Sequence, residues 1–252
     1  MNILQITFCP TGGTRRVSEL LCKGIAADSN LTELCTKLEN LKYPIVNADD
    51  LVVISMPVYA GRVPALAVER LKGIKANGAK CAIVAVYGNR AYEDALVEMQ
   101  DVASEIGFQV IAAVAAIAEH SICRTYGARR TDEEDAKDLA SFGSHTVNKA
   151  KTQKSFEPLV LPGNRPYKQG CSGPYPVAND DCTECGTCVS ECPTGAISLQ
   201  NPKANNQELC IGCMRCVSVC PTQARGIGER LNLLTAHLKP LCSDRKENEL
   251  FI

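Results

Sequence analysis

Four apolar runs with little polar interruption mark the first half of the chain: NILQITF (2–8), DLVVISMPVY (50–59), KCAIVAVYG (80–88) and FQVIAAVAAIA (108–118). Each has the length of a strand, and the near-continuous Val, Ile and Ala content is that of strands buried on both faces. A shorter run, LTELCT (31–36), fits a fifth strand. Between the runs the apolar spacing changes to that of helices. TRRVSELLCKGIAA (14–27) places Val17, Leu20, Leu21 and Ile25 on one face, and ALAVERLKGI (65–74) is a short helix. AYEDALVEMQDVASEIG (91–107) is a long helix closed by Gly107, and DEEDAKDLASFGSHTVNKAK (132–151) a polar-faced one. Strands alternating with helices predict right-handed crossovers, hence an α/β fold with a doubly wound, parallel, five-stranded sheet covered on both sides.

The alternation stops near residue 153. The stretch to 178, containing LPGNRPYKQGCSGPYPVAND, is rich in Pro and Gly and reads as a linker. Two cysteine runs follow, CTECGTCVSECP (182–193) and CIGCMRCVSVCP (210–221), repeated at an offset of 28 residues. A last helix, ERLNLLTAHL (229–238), carries Leu231, Leu234 and Leu238 on one face. The expected organisation is an α/β domain over 1–152, a linker over 153–178, a small α+β domain over 179–228, and a C-terminal helix and tail over 229–252.

Composition narrows the partners. The chain has 252 residues, 45% of them apolar, and a formal net charge of −1. It can bury a substantial core and has no charge bias toward nucleic acid or an acidic membrane surface. No apolar run approaches the roughly 20 residues of a membrane span. The start, MNILQITFCP, lacks a basic segment and a small-residue cleavage site, so no signal peptide is read and a cytoplasmic protein is expected. Fifteen cysteines is an odd number, and eight lie in the two runs. Reduced thiols that bind metal fit this better than disulfides. Cys9, Cys22, Cys35 and Cys81 read as small apolar fillers, and Cys123, Cys171 and Cys242 as inert loop or tail residues.

The pattern C-x2-C-x2-C-x3-C-P, present twice, resembles the bacterial two-cluster ferredoxins over about 50 residues. That resemblance implies two [4Fe–4S] clusters with crossed ligation. Cys182, Cys185, Cys188 and Cys220 would hold one, and Cys210, Cys213, Cys216 and Cys192 the other. Gly186 and Gly212 leave space for backbone N–H groups near cluster sulfurs. Zinc is the competing reading, but zinc ribbons use cysteine pairs with longer spacers. Asp180, Asp181, Glu184 and Glu191 lie in or before the first run, and Arg215 lies in the second. The acids either lower the first cluster's potential or are solvated surface charges.

The first strand ends in TFCPTGGTRR, a glycine- and hydroxyl-bearing loop that leads into a helix. Such a loop aims N–H groups and a helix N-terminus at one point, which suits a phosphate. Here the chain resembles flavodoxin, which implies sheet order 2-1-3-4-5 and a site for FMN built from three loops. The first loop matches Thr7, Thr11, Gly12, Gly13 and Thr14, with Gly13 where the family commonly has Asn. The second, MPVYAGRVP (56–64), supplies Pro57, Val58, Tyr59, Ala60 and Gly61. Its Tyr59 would stack on the ring and Gly61 lie at the ring edge. The third, YGNRAYED (87–94), supplies Tyr87, Gly88, Asn89 and Tyr92, the last a second stacking candidate. The competing reading is an ordinary turn aromatic, which the flavin reading outweighs for Tyr59 and balances for Tyr92. Arg62 and Arg90 in these loops predict an easier second reduction of the flavin than in acidic flavodoxins.

PVYAGRVP and VYGNRAYED, joined to a two-cluster cysteine pattern, are similar over the whole chain to the flavodoxin–ferredoxin fusion proteins of anaerobes. The resemblance implies an electron-transfer protein whose partners are redox proteins, ferredoxin or an oxidoreductase. The alternative is a flavin-dependent reductase of a small substrate such as a quinone or nitro compound. A redox sensor acting through the 153–178 linker is a third reading. No G-x-G-x-x-G unit of a nicotinamide domain is visible. The linker also permits a head-to-tail homodimer. EHSICRTYGARR (119–130) leaves the last strand at the flavin edge. It brings Glu119, His120 and Ser121 near ring or clusters, with His120 a proton carrier or an ordinary hydrogen-bonded residue. Arg124, Arg129 and Arg130 could face an acidic partner.

Overall fold

The computed structural model describes residues 1–26, 28–170 and 173–252. Cys171, the end residue Ala27 of the first helical stretch, and positions 171–172 of the Pro/Gly-rich segment lie outside the described residues. Five parallel strands form the sheet: β1 (Ile3–Thr7), β2 (Asn30–Glu33), β3 (Leu51–Pro57), β4 (Lys80–Tyr87) and β5 (Gln109–Ile117). Their order is β2-β1-β3-β4-β5. This is the flavodoxin-like doubly wound order, and the chain reverses direction of winding beside β1. A ligand crevice is therefore placed at the C-terminal ends of β1 and β3.

β1, β3, β4 and β5 alternate between two cores, whereas β2 at the sheet edge is exposed or half-buried. Leu4, Ile6, Val52, Ile54 and Met56 face one layer, packed by α2 (Ala65–Lys72) and α3 (Ala95–Glu105). Ile3, Leu51, Val53, Val84 and Val114 face the other, packed by α1 (Gly13–Lys23) and α4 (Glu133–Thr152). Because both faces are covered, alternation of polar and apolar residues is absent from the sequence, as a parallel sheet requires. α4 begins with a capping box in which Asp132 and Asp135 exchange side-chain and backbone hydrogen bonds.

The cysteine-rich part is small. It holds a two-stranded antiparallel ladder, β6 (Val177–Ala178) with β7 (Arg225–Gly226), and two short helices, α5 (Thr187–Glu191) and α6 (Arg215–Ser218). The final helix α7 (Arg230–Cys242) runs past the predicted end at 238 and contains Pro240. Only part of its predicted apolar face packs. Leu238 is buried and Leu234 joins it against Cys123, Ile122 and Tyr126, whereas Leu231 is 39% exposed. The tail then adds β8 (Glu249–Phe251), antiparallel to β5, a strand the sequence pattern does not predict.

Two other features depart from the sequence reading. The helix expected from 91 starts at Ala95, because residues 89–94 form a turn with Asn89 and Glu93 at positive φ (65° and 43°). The segment after 153 is irregular, as expected, but it is bound along α3 rather than slack. The Asp94 carboxylate accepts hydrogen bonds from the backbone N–H groups of Asn164 (2.8 Å) and Lys168 (2.7 Å). Arg165 pairs with Asp101, and the Arg62 guanidinium lies 4.7 Å from the Tyr167 ring centre. No helix among the described residues is long and apolar enough to cross a membrane.

Candidate cofactor site

The two cysteine runs fold alike. A left-handed residue, Gly186 (φ 78°) or Met214 (φ 61°), precedes each short helix and turns the chain back on itself. α5 and α6 then present Cys188 and Cys216 inward, both buried. Cys192, the fourth cysteine of the first run, lines one cavity together with Cys210, Cys213 and Cys216 of the second. Ala196, Ile197 and Ile211 close it. Cys182 and Cys188 lie within electrostatic reach of each other on the other side. Threonine hydroxyls two residues on approach three sulfurs, Thr187 to Cys185 at 3.3 Å, Thr194 to Cys192 at 3.5 Å and Thr222 to Cys220 at 3.7 Å.

These environments differ in a useful way. Cys185 is exposed, and hydrogen bonds from the Thr187 side chain and backbone hold its thiol below the ordinary value. Burial pushes Cys213 up to about 12. Cys185 thus meets solvent, while Cys213 is enclosed. The enclosure comes from the α/β domain. Arg215 donates to the Pro10 carbonyl (3.3 Å), Ser218 to the same oxygen (3.4 Å), and Arg70 to the Pro193 carbonyl (2.9 Å). Glu191 is paired with Arg215, so the charge contrast expected between the two runs largely cancels at that point.

At the C-terminal edge of the sheet two cavities adjoin. The inner one is lined by Pro10, Thr11, Gly13, Thr14, Pro57, Val58, Tyr59, Tyr87 and Gly88, with Ala118, Glu119 and Ser121. The N-terminus of α1 opens here, with Gly12 at the cap (φ 99°), no capping side chain and no acid in its first turn. The N–H groups of Gly13 and Thr14, its first two residues, face the place where an anion would sit. Gly13 is explained by space: a Cβ there would lie 2.9 Å from the Ala118 Cβ. Cys9 is more than a filler. Its Sγ accepts the Arg15 N–H at 3.1 Å, and its own N–H donates to Glu33.

The outer cavity is lined by Val58, Tyr59, Ala60, Gly88, Arg90 and His120 from the loops of the sheet. Lys168, Gly173 and Pro174 come from the irregular segment, and Ile211 and Gly212 from the second cysteine run. Leu234, His237, Leu238 and Leu241 of α7 roof it. Tyr59 lies on both cavities and within electrostatic reach of Cys213, Cys35 and Cys9. Burial, with those cysteines adding, drives its hydroxyl pKa far above the usual range.

Thr7, Gly61, Asn89 and Tyr92, expected at the cofactor, line neither of these two cavities. The Thr7 hydroxyl is fully buried and donates to Glu33 at 3.0 Å. Gly61 (φ 85°) faces the third loop, since a Cβ would strike the Glu93 carboxylate. The Asn89 amide donates to the carbonyls of Cys242 (2.7 Å) and Asp244 (2.8 Å), fastening the end of α7. Tyr92 packs edge-on against Tyr87 at 5.4 Å and bonds Glu249. The positive charge expected from Arg62 and Arg90 is also offset, by Glu98 (2.7 Å) and Glu93 (2.8 Å). Arg130 pairs with buried Asp135 and Arg124 with Glu119, so neither is a spare cation for a partner. The roof residues of α7 and the walls Ile211, Gly212 and Lys168 are not legible as site residues from local pattern. The shared face of Leu234 and Leu238 is the one signal that pointed at the roof.

His120 is held in one orientation. Its Nδ1 accepts the N–H groups of Ile122 (3.2 Å) and Cys123 (3.1 Å), which leaves the proton on Nε2. A Cβ on Gly88 would sit 2.7 Å from the His120 ring, so the glycine is what lets the ring approach the cavity. Burial, with Arg90 adding, pushes its pKa below 6.5. His120 should thus be neutral at pH 7 and titrate below 6.5, as ¹⁵N-resolved NMR of the ring will report. A folded-state value depressed in this way makes stability fall as pH drops from about 6.5 toward that value. His120→Gln should flatten that part of the pH profile of Tm.

Residues 181–225 match a family model described as a 4Fe-4S dicluster domain. No curated protein matches the chain. Solved structures that match include a flavodoxin from the domain Archaea, at 13% identity and TM-score 0.40, covering 60% of this chain and 99% of that one. Flavodoxin 2 from Bacillus cereus matches at 16% identity and TM-score 0.40, covering 59% and 99%. Rubredoxin oxygen:oxidoreductase from Desulfovibrio gigas matches at 10% identity and TM-score 0.41, covering 60% of this chain and 36% of that one. With the strand order described above, the chain joins a flavodoxin-like α/β domain to a 4Fe-4S dicluster domain.

Proposed function

We propose that this chain is an electron-transfer protein that holds two [4Fe–4S] clusters and FMN, and passes electrons between these groups and redox partner proteins. The observation that carries the reading is the shared wall. Ile211 and Gly212, which lie between Cys210 and Cys213, line the same cavity as Val58, Tyr59, Ala60 and His120. Whatever the second cysteine run binds is therefore adjacent to whatever the sheet-edge loops bind.

Cys182, Cys185, Cys188 and Cys220 would hold one cluster, and Cys192, Cys210, Cys213 and Cys216 the other. Thr11, Gly12, Gly13 and Thr14 would receive the phosphate of FMN, and Pro57 to Ala60 with Tyr87 and Gly88 the ring. When bound, the clusters supply one-electron chemistry and the flavin one- or two-electron chemistry. The residues do the rest. Exposed Cys185 and half-exposed Cys182 and Cys220 put the first run where a donor such as a ferredoxin can dock. Pro10, Arg215 and Ser218 fix the second run against the phosphate loop, and Leu234, His237, Leu238 and Leu241 of α7 roof the outer cavity. The division 1–152, 153–178, 179–228 and 229–252 assigns FMN, connection, clusters and roof in that order. A head-to-tail homodimer is not needed, because the chain's own second run reaches its own cavity.

The test is anaerobic purification or reconstitution followed by iron, sulfide and flavin analysis. About eight irons and one FMN per chain are expected. A colourless protein, or zinc as its one bound metal, would sink the reading. One observation favours a second reading, a reductase of a small substrate. The outer cavity, about 350 Å³ and lined by His120 and His237 as well as the sheet-edge loops, has room and polar groups for a small molecule. Turnover of a quinone or nitro compound well above that of free FMN would select it.

A further inference from the structure

The internal repeat makes Arg225 unusual. Cys192 and Cys220 are 28 positions apart, and so are Ile197 and Arg225. Ile197 is 4% exposed and packs among the cysteines, while Arg225 is 3% exposed at the equivalent position. One half of the duplication thus buries a methyl group where the other buries a permanent cation. Guanidinium does not deprotonate in proteins, so the charge stays.

Its partners are neutral or sulfur. Nη2 donates to the Pro176 carbonyl at 2.9 Å and Nη1 to that of Pro202, while Nε has no partner. Nη1 lies 3.8 Å from the Cys188 sulfur. Its charge also acts on Cys216 and, more weakly, on Cys210. Among the described residues no carboxylate forms an ion pair with it. A buried cation without an anion is strongly unfavourable. The available negative charge is on the thiolates of the two runs, Cys188 from the first and Cys216 from the second.

We propose that Arg225 is a fixed buried cation shared by the two clusters, and that it raises the reduction potential of both. This rests on the reading that the cysteine runs hold [4Fe–4S] clusters. Each electron taken up from a redox partner makes a cluster more negative. A positive charge between Cys188 and Cys216 stabilises that added charge on either side. An apolar residue like the repeat-mate Ile197 would not. In a site this enclosed the interaction is poorly screened by salt.

The experiment compares the full-length protein with Arg225→Lys and Arg225→Gln, all purified anaerobically. Iron and sulfide analysis comes first, then potentiometric titration with dithionite and mediators, read by electron paramagnetic resonance. Wild type without [4Fe–4S] clusters would defeat the cluster reading itself, separately from the role of Arg225. With clusters present, the Gln variant should show both midpoints shifted to lower potential, and the Lys variant midpoints nearer to wild type. Unchanged midpoints in the Gln variant, or equal falls in Gln and Lys, would overturn the proposal. If the Gln variant binds no iron while the Lys variant binds it fully, the requirement for charge stands. Loss of iron from both would show that guanidinium fit, not charge, is what the position needs, and would overturn it too.

Discussion

Serine at position 192 should abolish the cluster of Cys210, Cys213 and Cys216 while leaving that of Cys182, Cys185, Cys188 and Cys220 in place. Iron should fall from about eight to about four per chain. The direction is counterintuitive from sequence order, since Cys192 belongs to the first run. It follows from where the chain goes after α5. Cys192 lies beyond the helix at an extended residue (φ −72°, ψ 116°), and the carbonyl of Pro193 next to it accepts a hydrogen bond from Arg70 of the α/β domain. Its sulfur then lines the cavity of the second run. Losing that ligand should also disconnect the flavin. The second run forms the wall of the outer cavity, so electrons delivered to the first cluster would have no adjacent group to cross. Iron and sulfide analysis, paramagnetic resonance of the reduced state, and anaerobic flavin bleaching after donor addition measure the three consequences. Retention of the second cluster with loss of the first would contradict crossed ligation. Cys123→Ser is the control, because Cys123 packs under α7 with Leu238 and Cys242 and should keep all its iron.

What the sequence made legible follows from the range of the interactions involved. All five parallel strands and the four helices that cover them are readable; β1, β3, β4 and β5 are buried apolar runs, while β2, four exposed or half-buried residues, is read from its place between a helix and the next strand. The cysteine runs are readable because their chemistry is local, within a dozen residues. The inner cavity is readable in the main for the same reason: Thr11, Gly13, Thr14, Val58, Tyr59 and Gly88 come from loops that follow recognisable strands. The misplaced residues fail for a different cause. Asn89 and Tyr92 are in the expected loop, but their polar atoms are claimed by Cys242, Asp244 and Glu249, more than 150 positions away. Thr7 is claimed by Glu33 of the neighbouring strand. Nothing in a local window states that the tail returns to the sheet. β8 is three residues long and carries no periodicity, and its register is set instead by the Asn248 side chain accepting the Ile117 N–H at 3.0 Å. The irregular segment after 153 looks like a flexible spacer by composition. Its binding to α3 depends on Asp94 and Asp101, two acids that read as ordinary surface charge on a helix.

The tail is also where the largest stability effect is expected. Asp135 has no exposed surface, and its carboxylate accepts from Arg130 through Nε and Nη2, from the Asp132 N–H (2.9 Å) and from Asn248 Nδ2 (2.8 Å). Arg130 is itself buried in that pair and donates its remaining nitrogen to the Lys246 carbonyl at 2.9 Å. Asp135→Ala removes the buried carboxylate that faces that guanidinium and strands four N–H donors at once. Breaking a buried pair from one side costs about 3–5 kcal/mol, because the surviving charge is left without compensation. Tm should fall on the order of 10 °C. The loss should not spread evenly. Asn248 holds β8, Lys246 holds the Arg90 carbonyl, and Asn89 holds the end of α7, so the tail and the roof are one latch. Limited proteolysis should cut within 243–252 before the sheet unfolds, and FMN should dissociate faster once α7 is released from the outer cavity. Asp135→Asn keeps the volume and part of the hydrogen bonding but not the charge, and should fall between wild type and alanine. A change in Tm of under 2 °C for alanine, with an uncut tail, would mean that Arg130 is compensated from elsewhere and that the roof is held without this pair.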